Sequence, residues 1–192
     1  MSKKSFNLII KEKILPFNKI IKVDSDKSIS IRSLLIGAIS QNISYIKNIL
    51  ESEDVISTIN CLKKLGIKIL KKNGNFIVYG KGIGSFSAKK NMELNFGNSG
   101  TLARLIIGIL STTPDININL TGDHSLKKRS MKKLILLMSE FGASFKPKKK
   151  FNFPIKLISS KMPIGINYKA GVSAQLKSAV LLAGINSYGK TK

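Results

Sequence analysis

Three short segments of this chain combine small residues, hydroxyls and a cationic side chain at spacings suited to holding an anion. The first is Asp24-Ser25-Asp26-Lys27-Ser28-Ile29-Ser30-Ile31-Arg32. The second is Gly97-Asn98-Ser99-Gly100-Thr101, with Arg104 one turn further on. The third is Gly171-Val172-Ser173-Ala174-Gln175, followed by Lys177. Each opens a helical pattern. A helix N-terminus presents unpaired N–H groups and a partial positive charge, small residues let an anion approach them, and Lys or Arg adds a full charge. A single such junction would read as ordinary capping by Ser or Asn. Three alike, two of them carrying an arginine, point to an anion site. The chain has 33 basic residues, of which only Arg32, Arg104 and Arg129 are arginine. Where lysine is used so freely, a guanidinium marks a place that needs its planar, bidentate fork. Arg129 lies in a separate segment, Leu120-Thr-Gly-Asp-His-Ser-Leu-Lys-Lys-Arg-Ser-Met131, which read alone is an exposed basic turn between a strand and a helix.

The elements that position these segments follow from apolar periodicity. Strands are expected at 20–23, 44–47, 67–70, 76–79, 93–96, 117–120, 144–146, 155–158 and 164–168. Helices are expected at 27–39 (amphipathic), 53–65, 99–110, 132–141 and 173–185. The 53–65 helix should bury Val55, Ile56, Ile59 and Leu62 and stop at Gly66. Lys-Lys-Asn-Gly-Asn at 71–75 marks a hairpin. The strings DKSISIRSLLIGA, GNSGTLARLIIGI and VSAQLKSAVLLAGI share one form, and their helices open at Lys27, Ser99 and Ser173. Second helices end at Gly66 and Gly142 in the first two copies. The pattern is an internal repeat of form βαβαββ, with copies at about 23–90, 91–160 and 161–192. Copy three stops just after its first helix, where a compact unit is not expected to end.

Three features are set aside on physical grounds. His124 is the single histidine and has no second ligand beside it, so it reads as a loop residue without a catalytic role. Cys61 lies mid-helix among apolar residues and reads as a core thiol. Gly184-Ile-Asn-Ser-Tyr-Gly-Lys-Thr191 matches a phosphate-loop pattern but follows a helix instead of a strand, so it reads as chance.

Composition bounds the rest. The 192 residues are 43% hydrophobic and 22% charged, with a formal net charge of +23 and a mean hydropathy of +0.07. This is enough apolar material for a globular core and excludes wholesale disorder. The longest apolar runs fall well short of the ~18 residues of a membrane span, and the N-terminus has no signal-peptide pattern. One cysteine excludes an intrachain disulfide; a cytoplasmic setting is expected. The positive charge implies attraction to anions in general. Lysine, isoleucine and asparagine are all abundant and share A/T-rich codons, so codon drift explains much of it. Aromatics, at 7% with no Trp, do not interleave with basic residues as a base-stacking platform requires.

At these junctions the chain resembles the 5-enolpyruvylshikimate-3-phosphate (EPSP) synthase family. The matching stretches are SDKSISIRSLLIGA, LESEDVISTINCLKKLGIKI, FGNSGTLARLIIGIL, LTGDHSLKKRSMKKL and GVSAQLKSAVLLAGI, in family order from about Ile20 to Thr191. The resemblance implies an α/β (α+β) fold of repeated βαβαββ units, the enolpyruvyl transferase inverse α/β barrel, with about two and a half of the family's six units present. Residues 1–22 would be a strand region packing with a C-terminal domain, and 23–192 an incomplete N-terminal domain. The implied reaction transfers the enolpyruvyl group of phosphoenolpyruvate to the 5-hydroxyl of shikimate 3-phosphate and releases phosphate. The implied shikimate 3-phosphate residues are Lys27, Ser28, Arg32, Ser173, Ala174 (through its backbone) and Gln175. Those for phosphoenolpyruvate, whose site glyphosate also occupies in the family, are Lys27, Asn98, Gly100, Arg129 and Gln175. No metal or cofactor, nucleic acid or membrane is implied, and a full-length member is expected to be monomeric. The family's proton-transfer groups lie in its C-terminal half, so no catalytic residue is assignable here and the chain alone is expected not to turn over. Two departures stand out: Ser130 where members usually have Pro, and Asp24-Ser25-Asp26 where many have Gly.

Three other readings are weighed against this one. A sister transferase acting on UDP-N-acetylglucosamine commonly uses a loop cysteine, whereas Cys61 is placed on a helix. A basic nucleic-acid-binding module rests on the charge alone. A noncatalytic remnant that binds ligand or a partner chain shares every feature above.

Overall fold

The structure, a computed structural model, describes residues 23–192 apart from 90, together with 9, 11, 16, 18 and 20. The strand expected at 20–23 and the region 1–22 therefore lie outside the described residues, save for those few positions.

Copy one runs α1 (Lys27–Ile39), β1 (Gln41–Ile46), α2 (Glu53–Lys64), β2 (Lys68–Lys72) and β3 (Asn75–Lys81). Copy two runs β4 (Glu93–Asn95), α3 (Gly100–Thr112), β5 (Asn117–Thr121), α4 (His124–Lys128), α5 (Lys132–Glu140), β6 (Ser144–Lys146) and β7 (Ile155–Ile158), and α6 (Ala174–Gly184) follows. The sheets are ordered β1-β3-β2 and β4-β5-β7-β6. In both, the hairpin's second strand lies antiparallel to the strand after the first helix: β3 on β1, β7 on β5. β4 and β5 are parallel. The αβαββ part of the expected repeat is thus present with one topology twice over, and the leading strand is seen in copy two.

Local chemistry sets the element ends. Glu53 and Asp54 open α2, and Lys63 and Lys64 close it, so both ends of its dipole meet opposite charge. The β2–β3 loop is Asn73-Gly74, with φ of 49° and 73°, the double left-handed geometry of a type I′ turn. The buried face of α2 differs from expectation. Ile56 is 49% exposed, while Asp54, Val55, Thr58, Cys61 and Leu62 are buried. The helix is rotated toward β4, where the Cys61 thiol donates to the Asn95 carbonyl at 3.4 Å. The α1 surface is not cleanly amphipathic either, since Ile29 and Ile36 are exposed.

The core centres on α3. Every residue of that helix is buried except Arg104. α6 packs against it closely because Gly108 lacks a side chain: a Cβ there would fall 2.5 Å from the Ala179 carbonyl oxygen. Two side-chain bonds tie α3 to α6 and the segment just after it, both at an offset of 74 residues. Gln175 donates to the Thr101 hydroxyl at 3.0 Å, and Asn186 donates to the Thr112 carbonyl at 2.5 Å. Equivalent positions of successive copies therefore meet, as they must around a common axis.

Copy three departs from its expected strand at 164–168. Only one regular bridge forms, Ile164 with Tyr188, in parallel. Backbone bonds nonetheless continue along both segments: Tyr188 N–H to Pro163, Gly165 N–H to Tyr188, Lys192 N–H to Ile166 and Tyr168 N–H to Lys192. This is the parallel pairing of β4 with β5 begun a second time. It gives 184–191 a structural role as helix end and incipient strand. Among the described residues no helix is long and apolar enough to cross a membrane.

Candidate functional site

The N-terminus of α3 gathers the strongest charge constellation. Ser99 caps the helix, its hydroxyl accepting from Leu102 N–H at 3.3 Å. Arg104, one turn later, folds back and donates to the Gly100 carbonyl at 2.9 Å. Arg129 arrives from the other side. The segment expected as a turn contains the short helix α4, capped by Asp123 at 2.7 Å from Leu126 N–H. Arg129 follows its last residue and donates to the Ser125 hydroxyl at 3.3 Å. The α4 segment is tied to the glycine loop by Asp123 N–H, which donates to the Gly97 carbonyl at 2.8 Å. Gly122 permits that approach, because a Cβ on it would lie 2.8 Å from the same oxygen.

Gly100 is where the two guanidiniums meet. A Cβ there would be 2.7 Å from Arg104 Nη1 and 3.2 Å from Arg129 Nη1. Burial, and then the charge of Arg129, push the Arg104 pKa down, yet a guanidinium stays protonated in proteins. Among the described residues only Lys27 and Lys71 pair with carboxylates. Two adjacent cations without a counter-charge over a helix N-terminus form a site that an anion would stabilise.

α6 completes this side. Ser173 caps it, accepting from Leu176 N–H at 3.4 Å, and Gln175 reaches Thr101 in the first turn of α3. Ala174 is the first residue of the helix, with its side chain exposed. A cavity of about 440 Å³ opens between Arg104, Ser130, Lys132, Lys133, Ser173 and Gln175. Ser130 accepts from Lys132 N–H at 3.3 Å and so helps to open α5.

The α1 side is built differently. Its N-terminus is capped by a carboxylate, Asp26 Oδ1 accepting from Ile29 N–H at 2.7 Å, whereas α3 and α6 have neutral serine caps. The three junctions, alike in the sequence, thus differ in the charge of their caps. In the first, the protein's own carboxylate already meets the helix dipole. Arg32 Nη1 donates to the Ser28 carbonyl at 3.2 Å, which holds the guanidinium along the helix. Lys27 Nζ pairs with Asp54 Oδ2 at 3.1 Å. Asp54 lies in the first turn of α2, and Ser57 of that helix packs on Gly97, whose Cβ would fall 3.0 Å from its hydroxyl. α2 thus links the α1 residues to the glycine loop.

The structure therefore gathers Gly100, Arg129, Ser173 and Gln175 around one helix end and brings Lys27 toward it through α2. Asn98 sits exposed in the turn before α3. Thr101 and Arg104, read as part of the second junction but assigned to neither substrate, join the constellation, and so does Asp54, which was not singled out. The scarcity of arginine was a signal for Arg104; nothing local marked Asp54 as the partner of Lys27. His124 is the exposed first residue of α4. Cys61 is buried, and desolvation, partly offset by the Lys64 charge, pushes its thiol up to about 12.

Comparison with known proteins agrees with this architecture. The family model for EPSP synthase (3-phosphoshikimate 1-carboxyvinyltransferase) matches residues 11–192. A 3-phosphoshikimate 1-carboxyvinyltransferase of Syntrophomonas wolfei is 39% identical over 183 residues, covering 95% of this chain and 42% of the relative. One of Alkaliphilus oremlandii is 43% identical over 173 residues, covering 89% and 40%. The solved EPSP synthase from Acinetobacter baumannii superposes with a TM-score of 0.81 at 34% identity, covering 89% of this chain and 39% of that one. The chain spans about two fifths of the length of these relatives. On its sequence, its repeated topology and these matches, the chain belongs to the EPSP synthase family.

Proposed function

We propose that this chain supplies the N-terminal part of a 3-phosphoshikimate 1-carboxyvinyltransferase. In the reaction, the 5-hydroxyl of shikimate 3-phosphate adds to the central carbon of phosphoenolpyruvate, giving a tetrahedral intermediate that still bears phosphate. Loss of phosphate then leaves the enolpyruvyl ether. Lys27, Ser28, Arg32, Ser173, Ala174 and Gln175 hold shikimate 3-phosphate. Lys27, Asn98, Gly100, Arg129 and Gln175 hold phosphoenolpyruvate, with Arg104 beside them. Both substrates are anions, and fixed cations in a cleft closed to water would stabilise the intermediate. The observation that carries the reading is the convergence of Arg104 and Arg129 on Gly100 without a carboxylate partner. In this reading residues 1–22 pack with a second domain, 23–192 belong to the first, no metal or organic cofactor takes part, and the intact protein is a cytoplasmic monomer.

The test is titration of shikimate 3-phosphate into the purified chain, followed by backbone amide NMR, with duplex DNA at equal ionic strength as control. Saturable shifts at Ser28, Arg32 and Ser173 are expected. Shifts with DNA alone, falling steeply with salt, would replace this reading with a nucleic-acid-binding one. A coupled phosphate-release assay on residues 1–192 is expected to show no turnover, because the proton-transfer groups are not among the assigned residues.

A further inference from the structure

The outer face of the β1-β3-β2 sheet differs from that of its repeat counterpart in a way the topology does not require. Directly opposed residues of paired strands lie on one face of a sheet, so register fixes the members of each face. Ile43 stands opposite Tyr79, and Tyr79 opposite Lys68. Tyr45 stands opposite Ile77, and Ile77 opposite Leu70. The alternate positions Ile69, Phe76 and Val78 are buried, so these two rows form the outward face. Ile43 is 46% exposed, Tyr45 69% and Leu70 43%. In the second sheet the same construction gives a polar face. Glu93, Asn119, Lys156 and Lys146 make one row, and the next has Ile158 between Asn117 and Ser144. An aromatic and aliphatic face is therefore particular to copy one, which points to a use for it. Its charge indicates what it would meet. The strands β1, β2 and β3 carry four lysines and no acidic residue. Lys71 pairs with Glu51, while Lys68, Lys72 and Lys81 have no carboxylate partner among the described residues. Lys68 Nζ lies 4.8 Å from the Tyr79 ring centroid. Aromatic and basic residues that do not interleave along the chain thus interleave across these strands.

We propose that the outer face of the β1-β3-β2 sheet binds single-stranded nucleic acid, Tyr45 and Tyr79 stacking on bases while Lys68, Lys72 and Lys81 meet backbone phosphates. Tyr45 and Tyr79 are diagonal neighbours on paired strands, a relation that sets residues roughly 7–8 Å apart, within reach of successive bases of an extended strand. An acidic peptide would engage the lysines and leave the rings unused. A single strand engages both, because its bases are free to lie on aromatic faces. The face lies across the sheet from α1, so this inference does not rest on the chemistry proposed above.

The test titrates a ten-nucleotide oligouridylate, and separately the thymidylate DNA oligomer, into residues 1–192. Binding is read by anisotropy of an end-labelled strand and by tyrosine fluorescence. The chain has four tyrosines and no tryptophan, so stacking on Tyr45 and Tyr79 should quench its emission. Either oligomer satisfies the proposal, and the tighter of the two names the ligand. Tyr45→Leu and Tyr79→Leu keep apolar bulk and remove the ring; each should weaken binding roughly fivefold or more. Lys72→Gln should lower the log–log salt slope by about 0.7. Lys156→Gln, on the polar face of the second sheet, should leave the quenching unchanged. Thermal unfolding of each variant checks that its fold is intact. No binding of either oligomer, binding without quenching, or affinity indifferent to both tyrosine substitutions would overturn the proposal, since charge alone would then be acting. So would binding to phosphatidylserine vesicles in place of either oligomer, which would assign the face to a membrane surface.

Discussion

Replacing Gly100 with alanine perturbs the anion site at its geometric centre while sparing the fold. The backbone at Gly100 is helical, so alanine is conformationally acceptable there. The added methyl would lie 2.7 Å from Arg104 Nη1 and 3.2 Å from Arg129 Nη1, against an ordinary contact of 3.4 Å or more. Arg104 must withdraw by roughly 0.7 Å and Arg129 by roughly 0.2 Å. Both atoms are the far ends of flexible side chains, so the strain is relieved by motion, but the motion moves the cations. Arg104 also loosens its 2.9 Å bond to the Gly100 carbonyl. A hydrogen bond to a charged group contributes about 1.5–3 kcal/mol. Losing one such contact should weaken phosphoenolpyruvate or inorganic phosphate binding by roughly 10- to 150-fold. Calorimetric titration at low ionic strength reads this, with thermal unfolding as the control for an intact fold. In an Arg104→Ala background the same substitution should weaken binding much less, because its principal clash is gone. Unchanged phosphate affinity in a folded Gly100→Ala protein would refute the convergence of Arg104 and Arg129 on a common anion.

Three further outcomes are expected. Arg32→Lys should weaken shikimate 3-phosphate binding by about 1–3 kcal/mol, since an ammonium cannot reproduce the fork; equal affinities by NMR titration would remove Arg32 from the site. Gly108→Ala should destabilise the chain by about 1–3 kcal/mol in urea unfolding, because the new methyl meets the Ala179 backbone 2.5 Å away and α3 and α6 must separate. An unchanged midpoint would contradict the packing. Cys61 links stability to pH: burial raises its thiol from 9.0 to about 12 in the folded chain. The contribution is complete below pH 9. Above it the unfolded thiol ionises first, so each pH unit up to about 12 removes about 1.4 kcal/mol. The stability difference between wild type and Cys61→Ala should change accordingly in unfolding series from pH 8 to 11, and a constant difference would place the thiol in contact with water.

The repeat was legible in the sequence because each copy encodes its elements locally. The helix at 27–39 and the strands at 144–146 and 155–158 fall where periodicity puts them, and Asn73-Gly74 makes the turn its residue types require. The three candidate junctions rest on the same local signals, a serine or asparagine before a helix and a basic residue one turn in, while the residues assigned to each substrate rest on the family resemblance. What the sequence could not show was how charge is distributed between those junctions. Asp26 supplies a carboxylate cap at α1 where Ser99 and Ser173 supply neutral ones, and a string of residues does not say which side chain will fold back. Ile56 reads as core by spacing, yet α2 turns on its axis so that Cys61 meets β4, a choice made by the neighbouring sheet. Arg104 and Arg129 are 25 residues apart in the chain, and only the α4 helix together with the Gly97–Asp123 contact brings them over one glycine. Lys27 and Asp54 likewise meet only because α1 packs on α2. The sequence by itself determined the elements, their order and the types of group available to bind an anion, because these depend on neighbours within a turn or two. The tertiary structure alone decided which cations stand unpaired and face one another, because electrostatic partnership depends on distance in space.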